Sequence, residues 1–177
     1  MKQHPGRPGG VLGGIDWDRW SVVLLKPDCV RRNLIKPVLD RLSTAAEIVH
    51  HELVTVEDWQ IFVHYWDLLV DRHWIPGLDI PTCLRTTYAG QQVGIALAHG
   101  PSGTPQRLRD LLGHFDPAQA QPGTIRADLG TDSFDAARAD RRLVENLVHT
   151  SDDPQATSRD FGTWFGADRH QLLDRCA

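Results

Sequence analysis

The candidate nucleophile in this sequence is His149, in the stretch LVENLVHTSDDP (143–154). It ends an apolar run and precedes an acidic helix start. Four other polar residues fall at the ends of predicted elements: Lys26, Arg109, Arg126 and Asn146. Such a set suits phosphoryl transfer, because catalysis there consists mostly of positioning and of neutralising charge. An unprotonated imidazole nitrogen can also take the phosphoryl group itself. The alternative is a surface histidine hydrogen-bonded to nearby aspartates.

Asp160 is the candidate for orienting that histidine. It lies seven residues beyond Asp153, about two turns into the last predicted helix. If this helix packs back along the strand, the carboxylate reaches the ring and fixes its tautomer. The sequence contains no GxxxxGK[ST], no GxGxxG after a strand, no HExxH and no cysteine spacing for zinc.

Length and composition indicate an ordinary globular chain. The glycines and prolines near the N-terminus predict a flexible leader over residues 1–18, and the length of 177 residues predicts a single domain over 19–177. The net charge of −4 argues against a nucleic-acid partner, and no apolar run reaches the length of a membrane span. The cysteines are three, widely spaced and odd in number, so reduced thiols and a cytoplasmic location are expected.

Hydrophobic patterning predicts alternating strands and helices. The strands are WSVVLL (20–25), EIVHHELVTVE (47–57), QQVGIALAHG (91–100) and LVENLVH (143–149). The clearest helix covers 57–74, with an apolar stripe expected in the core: Trp59, Phe62, Val63, Trp66, Leu69 and Val70. Residues 75–90 look irregular, and Asp153 and Pro154 open the last helix. This order predicts an α/β fold, an α+β sandwich of ferredoxin-like type.

Four blocks of the chain resemble the nucleoside diphosphate kinase family, in the family's order, between Trp20 and Phe165. They are LLKPDCV (24–30), HYWDLLVDRHWIPGL (64–78), RLRDLLGHFDPAQAQPGTIRADL (107–129) and NLVHTSDD (146–153). The resemblance implies a ferredoxin-like βαββαβ fold, with a four-stranded antiparallel sheet and additional helices. It also implies ping-pong transfer of the terminal phosphoryl group from a nucleoside triphosphate to a nucleoside diphosphate, through a phosphohistidine.

The resemblance gives roles to the residues at the reacting end of the nucleotide. His149 matches the nucleophile. Lys26 would contact phosphate and the ribose 3′-hydroxyl, and Asn146 would bond to the sugar. Arg109 and Arg126 would hold the phosphates, each contact contributing about 1.5–3 kcal/mol.

Further roles concern the base, the histidine and the metal. Trp74 and Leu143 would enclose the base, and Tyr65 would hydrogen-bond near the histidine and lysine. Asp160 takes the place of a glutamate that orients the histidine. Asp152 would reach Mg²⁺ through water. The implied partners are ATP and other nucleoside di- and triphosphates, and the chain is expected to form a homo-oligomer.

The sequence departs from the family at several of these positions. Phe115 stands at a nucleotide-binding position where the family has a threonine that contacts phosphate, and a phenyl ring cannot donate that bond. Asp160 is one methylene shorter than glutamate. Insertions of about five and about ten residues fall near DIPTCLRTT (79–87) and TDSFDAARAD (131–140). Three hypotheses follow: a general kinase, a catalytically impaired nucleotide-binding relative, or a kinase narrowed to a specialised nucleotide.

Overall fold

A computed structural model describes residues 14–70 and 77–174 of the chain. Its sheet has four strands in the order β2-β3-β1-β4, and every neighbouring pair is antiparallel. The strands are β1 (Trp20–Leu25), β2 (Glu47–Thr55), β3 (Gln92–His99) and β4 (Val148–Thr150). This confirms the predicted ferredoxin-like sheet.

Nine α-helices of the described ranges connect and cover the strands. They are α1 (Pro27–Arg31), α2 (Ile35–Leu42), α3 (Asp58–His64), α4 (Trp66–Val70), α5 (Ile80–Tyr88), α6 (Thr104–Leu112), α7 (Ile125–Leu129), α8 (Phe134–Ala139) and α9 (Pro154–Trp164). Shorter 3₁₀ turns occupy Trp17–Arg19, Pro117–Gln119 and Ala167–Leu173. No helix in the described part is long and apolar enough to cross a membrane.

Strand β1 forms the centre of the core because both of its faces are covered. Val22 and Leu24 belong to the apolar cluster formed with α3, α5 and α9. Val23 and Leu25 belong to the opposite cluster, formed with α2 and α6. Alternate side chains of a strand point to opposite faces. A strand covered on both sides is therefore apolar along most of its length, and WSVVLL is apolar apart from the buried Ser21.

The single long helix predicted over residues 57–74 is wrong over residues 57–70, and residues 71–74 lie outside the described part of the chain. The helix breaks at Tyr65, whose backbone has φ −97° and ψ 30°, and a short α4 follows. The predicted core stripe is confirmed only in part: Phe62 and Leu69 pack against the core, whereas Trp59, Trp66 and Val70 are 50%, 56% and 59% exposed. The buried residues of α3 are Ile61 and His64 instead. Apolar residues occur on several faces of this segment, so their spacing alone does not identify the face that the fold buries.

Two further boundaries differ from the sequence prediction. The stretch 75–90, predicted as irregular, contains α5, which begins where the Asp79 carboxylate accepts a hydrogen bond from the Thr82 amide at 3.4 Å. The fourth strand is shorter than 143–149, because Leu147 has a φ of +71° and extended pairing begins only after it. Asp153 caps α9 and Pro154 begins it, as predicted.

Candidate active site

Nine of the eleven residues that the sequence assigns to the site line one cavity of about 800 Å³. They are Lys26, Tyr65, Arg109, Phe115, Arg126, Leu143, Asn146, His149 and Asp152. Of the other two, Asp160 is fully buried and is not among the lining residues, and Trp74 lies outside the described residues.

His149 occupies the middle of β4, where it pairs with Leu24 of β1. Its ring centroid lies 4.9 Å from that of His64 and 5.4 Å from that of Tyr65. Burial holds the pKa of His149 well below its ordinary value of 6.5, and the neighbouring His64 and the charges of Arg126, Arg109 and Lys26 act in the same direction. The imidazole is therefore neutral near pH 7. A neutral ring keeps the nitrogen lone pair that a nucleophile needs.

Lys26 and Asn146 form one corner of the cavity. The Lys26 Nζ donates to the Asn146 Oδ1 at 2.9 Å and to the Val144 carbonyl at 2.9 Å. The Asn146 amide in turn donates to the Phe115 carbonyl at 2.7 Å. Burial lowers the pKa of Lys26 to about 8, although the neighbouring carboxylate of Asp28 acts against that shift. Near neutral pH the lysine still presents a positive charge.

An unusual backbone conformation holds this corner in place. Leu147 adopts a φ of +71°, which is uncommon for a residue with a side chain. Its amide donates to the Asp28 carboxylate at 2.9 Å, and its carbonyl accepts from the Lys26 amide at 2.8 Å. Both polar groups of Leu147 thus tie the segment before β4 to the end of β1. These bonds keep Asn146 and Lys26 side by side.

Arg126 reaches the cavity from α7. Its terminal nitrogens donate to the Gly113 carbonyl at 3.0 Å and to the Val148 carbonyl at 2.7 Å. Its Nε is buried and has no hydrogen-bond partner among the described residues. Burial lowers the pKa of the guanidinium to about 10, so it stays charged at neutral pH. A charged group with an unsatisfied donor favours an anionic ligand.

Arg109 and Asp152 form an ion pair at the cavity wall. Arg109 lies in the last turn of α6, and Asp152 follows β4. The resemblance assigns the first to phosphate and the second to the metal. Each of the two side chains has the other as its counter-charge.

Tyr65 and Asp160 have partners other than those the resemblance implies. The Tyr65 hydroxyl lies 2.9 Å from the hydroxyl of Tyr88, and burial raises the pKa of Tyr65 to about 12. The Asp160 carboxylate accepts from the Ser151 hydroxyl at 2.8 Å and lies 3.1 Å from the His64 Nδ1. Within the described ranges the His149 ring has no hydrogen bond to Asp160.

Sequence reasoning missed several residues of this cavity. His64 and two residues of α8, Phe134 and Arg138, line it. The ring of Phe134 meets that of Phe115 edge-on, with centroids 5.5 Å apart. Phe134 and Arg138 are four residues apart, which places them on one helix face. That spacing is visible in the sequence. The sequence does not show, however, that the insertion near residues 131–140 lies against the cavity.

The lining is strongly cationic. Among the described residues, seven lysine and arginine side chains line the cavity: Lys26, Arg109, Arg126, Arg138, Arg141, Arg142 and Arg159. Of the carboxylates in the same described ranges, only Asp67 and Asp152 line it. Apolar and aromatic walls stand beside these charges, formed by Leu68, Leu78, Phe115, Phe134 and Leu143. The arrangement suits a polyanionic ligand with a flat apolar part.

Comparisons with known proteins point in the same direction. The profile of the family described as nucleoside diphosphate kinase matches residues 20–170. The nucleoside diphosphate kinase of Streptococcus thermophilus is 31% identical over 81% of this chain and 95% of its own. That of a Nocardioides species is 34% identical over 82% and 95%. A solved structure of the Borrelia burgdorferi enzyme, a transition-state mimic with bound vanadate and ADP, superposes with a TM-score of 0.75. It is 27% identical over 83% of this chain and 86% of that one.

Proposed function

The chain belongs to the nucleoside diphosphate kinase family, and from this membership we propose that His149 is the residue that carries the phosphoryl group. Members of the family are phosphotransferases, and this chain transfers phosphoryl groups between nucleotides. The observation that carries the assignment of His149 is a neutral imidazole in a cavity with seven cationic side chains. Among the described lining residues, it is the side chain best suited to attack phosphorus.

The reaction proceeds in two balanced steps. A His149 ring nitrogen attacks the terminal phosphorus of a nucleoside triphosphate, so that an N–P bond forms as the P–O bond to the adjacent phosphate breaks. The leaving oxygen keeps the bonding electrons, and the nucleoside diphosphate departs. A second diphosphate then attacks the phosphohistidine through its terminal oxygen, which restores the neutral ring. The free histidine is the same before and after the cycle, so one site serves both half-reactions.

The surrounding cations neutralise the moving charge. Lys26 lies beside Asn146, and we assign this corner to the ribose hydroxyl and the nearest phosphate. Arg126 is fixed by two carbonyls and so presents its charge without reorganisation. Arg109 leaves its ion pair with Asp152 to hold phosphate. Each of these contacts is charge-assisted and contributes about 1.5–3 kcal/mol.

Kinases of this family work with a divalent cation, and we infer that here it is Mg²⁺. The only carboxylates lining the described cavity are Asp67 and Asp152, and no cluster of three or more metal-binding side chains occurs in the described ranges. That donor set fits Mg²⁺, which is commonly held by one or two carboxylates, substrate phosphates and waters. When bound, the ion would offset phosphate charge. Asp152 would hold it through water.

The base is proposed to lie between Leu143 and Trp74. Stacking on an aromatic face discriminates little between bases, which favours a broad nucleotide range. A narrower range is the second candidate, because Phe115 and Phe134 add an aromatic wall and Arg138 adds a charge on the same face of α8. A panel of nucleoside diphosphates added to the phosphorylated protein distinguishes the two candidates. Discharge by all of them indicates a broad range, and discharge by few of them indicates a narrow range.

We further propose a cytoplasmic homo-oligomer. Strand β2 is an edge of the sheet, and its neighbourhood exposes Leu53 and Trp59 at 51% and 50%. An unpaired edge with exposed apolar side chains favours association. The free, buried thiols of Cys29 and Cys83 suit a reducing compartment. Sedimentation velocity of the wild type and of Leu53→Lys tests the assembly, and the variant is expected to sediment as a smaller species.

The proposed reaction is tested by isotope exchange between labelled ADP and unlabelled ATP, without any other nucleotide. A phosphorylated intermediate predicts that label passes from ADP into ATP, and that His149→Ala abolishes the exchange. The matched control is His170→Ala, which removes an exposed histidine that lies outside β2 and is not among the cavity-lining residues. Loss of exchange in the control, or its survival in His149→Ala, would contradict the assignment.

A further inference from the structure

His64 is a buried titratable residue at the end of α3 that the proposed mechanism leaves without a role. It is 2% exposed, and it lines the cavity together with His149. The two imidazole rings meet edge to face, at an interplanar angle of 85° with centroids 4.9 Å apart. At this separation the rings are in direct contact. Any movement of His64 therefore changes the space available to His149.

The other side of His64 is held by a buried carboxylate. The His64 Nδ1 lies 3.1 Å from the Asp160 Oδ1, and both side chains are completely buried. The second carboxylate oxygen accepts from the Ser151 hydroxyl at 2.8 Å. A buried carboxylate needs such donors, because removing its charge from water is costly unless hydrogen bonds compensate.

The Trp164 indole competes for the same His64 nitrogen. Its Nε1 also lies 3.1 Å from the His64 Nδ1. One nitrogen cannot accept from the indole and donate to the carboxylate at the same time. The bond to a charged acceptor is the stronger of the two, which favours a proton on Nδ1 directed at Asp160. The Nε2 is buried without a partner in the described part of the chain.

We propose that Asp160 orients His149 through His64, so that His64 is a positioning residue of the phosphoryl-transfer reaction. The inference rests on the proposed function of His149. Asp160 fixes the His64 ring by its hydrogen bond, and the ring fixes His149 by contact. Because the described residues include no hydrogen-bond partner for the His149 ring, its orientation depends on the rings packed against it. Those rings are His64 and Tyr65.

A double-mutant cycle tests this route. His64→Phe keeps an aromatic ring but removes the hydrogen bond, and Asp160→Asn keeps the shape of the side chain but removes its charge. Each single variant is expected to lower the maximal rate of phosphoprotein formation at least tenfold, while the KM for ATP changes less than twofold. In the His64→Phe background, Asp160→Asn should change the rate by less than twofold. If the two effects multiply instead, Asp160 acts without His64 and the proposal is wrong.

The matched control is His50→Phe. His50 also pairs with a carboxylate, Glu52, at 3.3 Å, and its ring also meets an aromatic ring edge-on, that of Phe165. It is not among the residues that line the cavity. The control should leave the rate within twofold of wild type. An equal loss in His50→Phe would mean that the loss in His64→Phe reflects disturbed folding, and would overturn the assignment.

A measurement on the wild-type protein covers the case in which the buried variants fail to fold. The ¹⁵N shifts of the histidine rings report which nitrogen carries the proton. Protonated Nδ1 of His64 is the expected result, and unprotonated Nδ1 would overturn the proposal, because the ring would then accept from Trp164. The readout does not depend on catalysis. A failure of the proposed function, seen as wild type that takes up no phosphoryl group, is thus distinguishable from a failure of this inference.

Discussion

Replacing Phe115 by threonine should raise activity and lower stability at once. The phenyl ring lines the cavity and is 37% exposed. By the resemblance of the sequence, it stands where a phosphate-contacting threonine is expected. A threonine hydroxyl that donates to phosphate contributes about 1.5–3 kcal/mol. Since 1.4 kcal/mol is a factor of ten, kcat/KM for ATP should rise roughly tenfold to a hundredfold.

The stability change has the opposite sign because the ring has aromatic neighbours. Its centroid lies 4.6 Å from that of His114 and 5.5 Å from that of Phe134. Each such contact contributes about 0.5–1.5 kcal/mol, reduced here by exposure to solvent. A total loss of about 1–2 kcal/mol should lower the Tm by about 2–8 °C in a chain of this size. Loss of the Phe134 contact should also loosen α8.

The matched control is Phe115→Val, which has the shape of threonine without the hydroxyl. Both variants should lose the same stability in thermal unfolding, and only Phe115→Thr should gain turnover in a coupled assay of nucleoside diphosphate phosphorylation. Equal turnover in the two variants would show that no phosphate lies within reach of this position. An unchanged Tm would refute the structural role given to the aromatic contacts.

Three further changes have expected outcomes that the site's geometry sets. The kcat/KM for ATP should fall as pH rises through about 8, because Lys26 loses its charge there. It should not fall at pH 6.5, the ordinary histidine pKa, because the pKa of His149 is well below that value. An acid limb centred at 6.5 in the pH profile would contradict this. Asn146→Ala removes the bonds of 2.9 Å to Lys26 and 2.7 Å to Phe115, and should lower kcat/KM by roughly tenfold to a hundredfold, whereas exposed Gln106→Ala should not change it. Asp152→Asn removes the counter-charge of Arg109, so ATP should bind more tightly in the absence of Mg²⁺, and more Mg²⁺ should be needed for the half-maximal rate. Calorimetry measures the ATP affinity, and a metal titration of the rate measures the Mg²⁺ requirement. Unchanged values would refute the role of the pair.

The sequence predicted an element correctly where all of its local signals favour the same structure. The run WSVVLL is apolar apart from Ser21, and β1 occupies those six residues. Asp153 and Pro154 are strong helix-start residues, and α9 begins at Pro154. The local signals failed where several apolar faces compete, as along residues 57–70, because the tertiary partners that select a face are distant in sequence. In α5, the prolines and threonines suggested a loop, although Asp79 and Pro81 are a helix start.

In the site, too, some features could be predicted from the sequence and others depend on tertiary packing. The resemblance supplied Lys26, Asn146 and His149, and the structure brings them to one cavity. It did not supply the partners of the Asp160 carboxylate, which are Ser151 and His64. Nor could it supply His64, whose role depends on where α3 ends against α9 and β4. Those contacts follow from packing and not from spacing along the chain.

The most direct test of the account is transfer of label from γ-labelled ATP to the protein, with Mg²⁺ and without acceptor, in wild type and His149→Ala. The account predicts acid-labile, base-stable label on wild type alone, discharged when nucleoside diphosphates are added. Label on both proteins, or on neither while ATP still binds, would contradict His149 as the carrier of the phosphoryl group.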